Sequence, residues 1–422
     1  MVVLFCRMPD AMENPRYKWQ VVGLLFCIAA LNYADRTAIS AVFPLVRAEL
    51  HLSDMELAAI GSLFLWSYAI ASPFAGWLAD RVSRSRMIVW SLAAWSVVII
   101  YSGFVTSSRE LLITRVLLGL AECGYVPAAL ALVASYHTTG TRGTAISIHN
   151  AGLSIGLILG ASLSGYLGDH FGWRIGFHVL GGAGLLLSLI AYFFLRDPPA
   201  IAPLVKPAAT PVFRGIADLF RIPTFLVILT EGTILAVGVW MFLNWLPLYF
   251  RETYGMSLAA AGFSATFWPK LTGTLGSTGG GYLSDRFAAG HPQRRMLLQC
   301  IWYFASTPFL LAFFIAPGYP VLIACISIFY LMRALGSTNE TPILCDVIPP
   351  HQRSTAIGIF NTTQTLAGGI GIMVAGALKQ SVGLSGVFGG ISVLMLAAAF
   401  TTLVGYRYFI RKDLDRYRKL NG

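Results

Sequence analysis

Gly76-Trp-Leu-Ala-Asp80-Arg81-Val-Ser-Arg84-Ser-Arg86 is a short basic turn between two apolar runs, and Gly281-Tyr-Leu-Ser-Asp285-Arg286 repeats its opening 205 residues later. The repetition extends in both directions. Arg142-Gly-Thr-Ala-Ile-Ser-Ile-His-Asn150 answers to Arg353-Ser-Thr-Ala-Ile-Gly-Ile-Phe-Asn361, and Arg115 and Glu122, seven apart, answer to Arg333 and Glu340 at the same spacing. Three coincidences in the same order point to an internal duplication. Between the copies, the longest polar stretch carries Pro198, Pro199, Pro203, Pro207 and Pro211 and reads as a linker. The expected units are therefore 1–195, a linker at 196–222, and 223–422.

The apolar runs around these motifs set the environment. Of 422 residues, 56% are hydrophobic and 12% charged, with a mean hydropathy of +0.69, whereas a soluble chain carries about 25% charge. Runs of about twenty residues, enough to cross a hydrocarbon core of about 30 Å, recur along the chain. They fall near 19–45, 55–79, 85–104, 110–136, 142–168, 174–195, 223–250, 257–284, 296–316, 319–345, 354–379 and 384–409. Lipid offers backbone polar groups no partner, so such segments must be helical. The expected fold is an all-α membrane protein of twelve transmembrane helices in two pseudo-symmetric six-helix halves. Paired halves with a site between them at mid-membrane are the architecture of alternating-access transporters.

A net charge of +11 would fit nucleic acid if it were clustered, but it follows the loops. With the N-terminus inside, 21 of the 30 Lys and Arg residues fall in the cytoplasm, 5 fall outside and the remaining 4 lie within helices. The positive-inside rule then puts both termini in the cytoplasm of a multi-pass plasma membrane, expected to be a bacterial inner membrane. No small-residue cleavage site precedes the first span, so no removable signal peptide is expected. Five of the six cysteines, Cys27, Cys123, Cys300, Cys325 and Cys345, sit in or near helices without metal or disulfide spacing, and are assigned to packing.

Ionisable groups at mid-membrane are expensive and ask for a reason. Eight stand out: the cations Arg36, Arg115, Lys270 and Arg333, and the carboxylates Asp35, Glu122, Glu231 and Glu340. In Asn32-Tyr33-Ala34-Asp35-Arg36, Tyr33 and Arg36 share a helix face and can line a cavity, while Asp35 points about 100° away toward a neighbouring helix. Arg115 and Glu122 lie two turns apart on one face, so Asp35, Arg115 and Glu122 can meet in one buried cluster. Mutual neutralisation that only holds helices together is one reading of the balance. Against it, hydrophobic replacements usually do as well as a buried ion pair. The functional reading is that a proton on Asp35 or Glu122 frees an arginine for a substrate carboxylate, so that proton and anion bind cooperatively. Lys270, about 20 Å into its helix, suits a second anionic group or pairs with Glu231 or Glu340. Asn244, Trp245, Asn361, Gln364 and Thr365 add polar and aromatic groups, each equally open to a helix-packing role.

The turn Gly76 to Arg86 resembles the helix 2 to 3 loop of the major facilitator superfamily, and Asp285-Arg286 is similar to its second copy; Ser83 stands where that family usually has Gly. The resemblance spans essentially the whole chain. It implies that Gly76, Asp80, Arg81, Arg84, Asp285 and Arg286 latch cytoplasmic helix ends, through charge-assisted bonds that break when the halves rock. Asn32, Tyr33, Asp35, Arg36 and Glu122 also look like the anion:cation symporter branch. By that resemblance Arg36 holds a substrate carboxylate, Asp35 and Glu122 take protons, and Tyr68 faces substrate. Asn150-Ala-Gly-Leu153 departs from sugar-acid carriers, which tend to place Gln after the Asn. Phe171-Gly-Trp-Arg174 and Arg196-Asp-Pro-Pro199 resemble Spinster-like carriers as well.

Other signals carry less. Gly152-Leu-Ser154-Ile-Gly156 fits a nucleophile elbow but lies inside a membrane helix. Gly156 and Gly160, and Gly276 and Gly280, are four apart and suit close helix packing. His149 reads as a satisfied helix histidine. No nucleotide loop, cofactor site, metal site or catalytic residue is expected. The expected function is proton-coupled symport of a small organic anion, a carboxylate or sugar acid, by a monomer in the lipid bilayer with no nucleic-acid partner. Export of lysolipid or another amphiphile, and a non-transporting sensor, are the alternatives.

Overall fold

The structure, a computed structural model, describes residues 16–79, 81–198, 212–315 and 317–421; Asp80 and residues 199–211 of the expected linker lie outside them. Every regular element among the described residues is helical. The first group is α1 (Tyr17–Ala41), α2 (Phe43–Leu50), α3 (Asp54–Ala79), α4 (Arg84–Ser102), α5 (Ser108–Glu122), α6 (Tyr125–Tyr136), α7 (Thr139–Phe171) and α8 (Trp173–Phe194). A short helix, α9 (Val212–Leu219), leads into α10 (Pro223–Tyr254), α11 (Leu258–Phe287), α12 (Arg294–Ser306), α13 (Ala312–Ile315), α14 (Tyr319–Ser337), α15 (Glu340–Val347), α16 (Arg353–Val404) and α17 (Ile410–Asn421).

Among the described residues, ten stretches are long and apolar enough to cross a membrane. The 30-residue α11 is not one of them, because its glycines, Gly273, Gly276 and Gly279 to Gly281, and its interspersed Ser and Thr residues lower its hydropathy. The last stretch, Arg353–Tyr417, is 65 residues long, more than one crossing needs. Gly383 breaks it with φ +67°, a backbone region that glycine alone enters without steric cost. Large apolar side chains such as Phe74, Trp90, Tyr192, Phe193 and Ile315 point outward, as a lipid-facing surface requires.

Small residues set the closest helix contacts. Along α7, a Cβ on Gly152, Gly156 or Gly160 would lie 2.5, 2.1 and 2.3 Å from the carbonyl oxygens of Phe26, Ala30 and Ala34 on α1. One face of α7 thus meets the α1 backbone itself, an approach that any larger residue would block. Gly276 and Gly280 of α11 stand in the same relation to Leu331 and Leu335 of α14, at 2.3 Å from the Leu331 carbonyl oxygen and 2.8 Å from the Leu335 Cα. The packing role expected for both pairs is the one they have.

Contacts between the helices up to α8 and those from α10 onward gather at one end. Along α3 and α16, Lys379 donates to Asp54 at 3.1 Å, Ser62 donates to the Gly369 carbonyl at 2.8 Å and the Trp66 indole donates to the Leu366 carbonyl at 3.1 Å. Asp169, near the end of α7, accepts from the backbone N–H groups of Leu258 and Ala259, both at 3.1 Å. These are orphan donors of the first turn of α11, where a negative group is also favoured by the helix dipole. An ionic clasp of Arg47, Asp54, Lys379 and Glu252 completes this end: Arg47 and Lys379 each reach Asp54 at 3.1 Å, and Lys379 reaches Glu252 at 2.8 Å. The starts of α1 and α10 lie at the opposite end, where Tyr17 bonds the Phe194 carbonyl and Asp413 of α17 accepts from the Thr224 N–H.

Candidate functional site

The break between α5 and α6 at Cys123 and Gly124 leaves Glu122 as the last residue of α5, fully buried. Facing it from α1 is Arg36, whose Nε donates to Glu122 Oε2 at 3.1 Å while Nη2 makes an ion-pair contact with the same oxygen at 3.0 Å. Nη2 also donates to Asn32 Oδ1 one turn back, at 3.3 Å. Three rings surround the guanidinium: its carbon lies 4.5 Å from the Tyr33 ring centroid, 4.8 Å from Tyr68 and 5.1 Å from Phe64. Guanidinium on aromatic faces in a dry setting is a favourable cation–π arrangement. Both nitrogens face one carboxylate oxygen, and Glu122 Oε1 accepts no hydrogen bond.

Asp35 is 1% exposed and neither of its oxygens has a hydrogen-bond partner. It feels Glu122, Arg115 and Arg36 electrostatically, and the buried Trp95 indole N–H, itself without a bonded partner, is its polar neighbour. Arg115 joins neither carboxylate directly: it donates from Nη2 to the Ser102 hydroxyl of α4 at 2.8 Å, with its guanidinium carbon 5.7 Å from the Phe177 ring centroid. The expected cluster of Asp35, Arg115 and Glu122 is thus a neighbourhood, and the bonded pair within it is Arg36 with Glu122. His149 shares a 3.1 Å hydrogen bond between Nε2 and the Tyr125 hydroxyl, which in turn donates to the Leu25 carbonyl at 2.9 Å, but its buried Nδ1 has no partner, so the histidine expected to be satisfied is so at one nitrogen only.

Across the interface, Asn244 of α10 is buried against Gly61 of α3, and its Oδ1 has no partner. Lys270 of α11 is partly buried and makes no ion pair with Glu231 or Glu340; its electrostatic neighbour is Arg333. Thr365 of α16 donates to the Asn361 carbonyl at 2.8 Å, and Gln364 packs at Gly232 of α10. Neither Asn361, on an exposed face, nor Gln364 or Thr365 contacts Arg36 through a hydrogen bond.

The turn residues are wired differently in the two copies. Arg81 donates to the Trp77 carbonyl at 2.9 Å and covers the Trp77 ring at 4.1 Å, Arg84 donates to the Ala131 carbonyl at 3.3 Å, and Gly76 has open space beside it. Asp285 is paired with Arg295 at 2.8 Å, and Arg286 reaches the Tyr282 hydroxyl at 3.4 Å. All of these bonds stay within one set of helices, at the end where the two sets do not clasp each other.

The sequence model of the Major Facilitator Superfamily matches residues 25–292 and 270–420. The chain belongs to this superfamily. It is accordingly a multi-pass membrane transporter and not an enzyme. It is 25% identical to the probable galactarate/D-glucarate transporter of Escherichia coli (strain K12), over 93% of this chain and 93% of that one. To an MFS-type efflux pump of Mycolicibacterium smegmatis it is 27% identical, over 96% and 95%. To protein spinster homolog 1 of Xenopus tropicalis it is 26% identical, over 84% and 72%. Its fold is similar to the crystal structure of a bacterial homolog of the human lysosomal transporter Spinster in an inward-facing, occupied conformation, with TM-score 0.83 and 21% identity over 95% of this chain and 99% of that one.

The sequence alone pointed to Arg36, Glu122 and the aromatic Tyr33 and Tyr68, but not to Asn32 as a donor's partner, Phe64 as the third ring or Ser102 as the seat of Arg115. The spacing Asn32 to Arg36, one helical turn, was a usable signal for the first of these. No spacing within one helix foretells the other two.

Proposed function

We propose that this transporter couples protons to the uptake of a small organic anion, and that Arg36 and Glu122 perform the coupling. The observation that carries it is the one-sided pairing: the Arg36 Nε hydrogen bond and the Nη2 ion-pair contact both fall on Glu122 Oε2, while Glu122 Oε1 and both oxygens of Asp35 make no hydrogen bond. A proton taken by Glu122 weakens its hold on the guanidinium. Arg36 then presents its planar fork to a substrate carboxylate, with Tyr33, Tyr68 and Phe64 keeping water out. Proton and anion each lower the cost of binding the other, a reciprocal coupling of the kind usually worth about 1–3 kcal/mol. Asp35 is the second proton acceptor, and Arg115, seated on Ser102, sets the field at both. Asn244, Lys270, Asn361, Gln364 and Thr365 complete the substrate surface from the second half, with Lys270 suited to the distal charge of a dianion.

The same reading counts twelve crossings, by including α11 and dividing α16 at Gly383, with six in 1–195 and six in 223–422 around the linker 196–222. Both termini lie in the cytoplasm of a bacterial inner membrane. The clasped end is then the outer one, and the chain stands open to the cytoplasm. This agrees with latch residues bonded only within their own half, while Asp80 lies outside the described residues. Closure of the inner end brings the turns of the two halves to their latching positions as the outer clasp breaks. The transporter acts as a monomer.

Purified protein in liposomes, with acid outside and D-glucarate as the probe, tests the reading. Accumulation should follow the pH gradient and vanish when a protonophore collapses it. Uptake indifferent to the gradient, or outward movement of lysolipid in its place, would overturn the assignment.

A further inference from the structure

Helices α10, α12 and α15 bury a second set of ionisable groups that the coupling above does not use. Glu231 of α10 is fully buried, and its Oε1 accepts from Gln299 Nε2 of α12 at 2.6 Å. That nitrogen also donates to the Tyr303 hydroxyl one turn on, at 3.1 Å, and the hydroxyl donates to Glu340 Oε1 of α15 at 3.0 Å. Four side chains from three helices thus form one chain, closed at Glu231 and partly exposed at Glu340.

Two atoms of this chain are orphaned, Glu231 Oε2 and Gln299 Oε1, and both are acceptors. The cluster is short of hydrogens, not of oxygens. Neither glutamate forms an ion pair: the ion pairs nearest along these helices are Arg295 with Asp285 and Asp346 at the exposed end, and Lys379 with Asp54 and Glu252 at the other. The cations that face the cluster are Arg333 of α14, its guanidinium carbon 5.6 Å from the Tyr330 ring centroid, and beyond it Lys270 of α11. From α16 only Arg353 and Lys379 are charged, and they are engaged elsewhere, on the Ile348 and Cys345 carbonyls and on the ionic clasp. On α15 Asp346 lies toward Arg295, and on α17 Asp413 is bonded to the Thr224 N–H. A carboxylate buried without a bonded cation is heavily penalised unless it is neutralised.

We infer that Glu231, Gln299, Tyr303 and Glu340 form a second proton-binding site, in the C-terminal helices, distinct from Asp35 and Glu122. A proton on Glu231 supplies the missing donor. That proton neutralises the buried carboxyl while Glu231 Oε1 goes on accepting from Gln299 Nε2, so the link through Tyr303 to Glu340 is kept. Two like carboxyl groups on one hydrogen-bond chain then share one proton, as close acid pairs do. The site needs no substrate, so it stands apart from the assignment of Arg36.

Infrared difference spectra of the full-length protein in lipid, recorded across a pH titration with no substrate present, test this. The carbonyl stretch of a protonated carboxylic acid should appear, and Glu231→Gln should remove a component that Glu122→Gln leaves in place. Tyr303→Phe, which cuts Glu340 from the chain while keeping the ring, should shift that component, and serves if Glu231→Gln does not fold. Spectra of Glu231→Gln and Tyr303→Phe that both superimpose on the wild type at every pH would overturn the site. So would sodium ions at constant pH reproducing the spectral change, since the occupant would then be a metal cation. Uptake of D-glucarate plays no part in the readout, so failure here and failure of the coupling proposal are separately visible.

Discussion

The two copies of the repeat carry the same Arg and Glu, seven residues apart, and use them in opposite ways. In the first, Glu122 ends α5 and is paired with Arg36 through an Nε hydrogen bond and an Nη2 ion-pair contact, while Arg115 turns to Ser102. In the second, Glu340 begins α15 and meets a tyrosine, while Arg333 bonds neither glutamate and leaves its Nε without a partner. Position along the chain therefore does not fix partnership. The difference comes from the neighbours: α1 offers a guanidinium to the first glutamate, and α12 offers an amide and a hydroxyl to the second. In the proposed reading, one cluster releases a cation and the other holds a hydrogen.

Several substitutions probe that contrast. Arg36→Ala should reduce pH-driven uptake to background, and Arg36→Lys should recover little of it, because an ammonium cannot present two parallel donors. Arg333→Ala should cost clearly less; a loss as complete as that of Arg36→Ala would erase the distinction between the copies. Next in size, Glu122→Gln should slow gradient-driven uptake by about tenfold or more, in keeping with a coupling of ~1–3 kcal/mol, while exchange at equal pH on both sides persists. Retained gradient drive in that variant would move the proton elsewhere.

Loosening the ionic clasp should have a moderate effect. Lys379→Met leaves Asp54 and Glu252 facing each other with only Arg47 between them. Cysteines introduced along α16 near Gly369 should then react faster with a water-soluble thiol reagent, while those at the opposite end react more slowly. The smallest effect belongs to a pair outside the membrane. The Arg174 guanidinium, and after it the Trp173 indole, hold the Glu49 carboxyl below its ordinary range. Because the folded value is the lower one, the contribution is present above the unfolded value and fades as pH falls through the folded one. Arg174→Ala should therefore lower the melting temperature slightly at neutral pH, with the gap to wild type closing in acid.

Much of the fold was legible because it is a matter of composition and repetition. Long apolar runs and the turn at Asp285 need only one dimension to be seen. Glycines four apart announced the α1 to α7 and α11 to α14 contacts, since their spacing is the helix's own. At the candidate site, Arg36, Tyr33 and Glu122 were readable because charge inside lipid is rare and conspicuous. What stayed hidden depends on which helices become neighbours. Ser102 under Arg115, Gln299 between Glu231 and Tyr303, and Lys379 reaching Asp54 each join residues far apart in sequence through polar types that are common everywhere. Gln299 and Tyr303, four apart on an otherwise apolar face of α12, were the one local hint of the second cluster. The membrane depth of Lys270 suggested a carboxylate partner, and its packing beside Arg333 left it without one.

The glycine seam between α1 and α7 has a mechanical corollary. With backbone laid on backbone at Gly152, Gly156 and Gly160, the two helices behave as one stiff beam. Arg36 rides on that beam, and its far tip is Asp169, gripping the first turn of α11. Any tilt imposed at the tip is delivered to the guanidinium with no slack to absorb it.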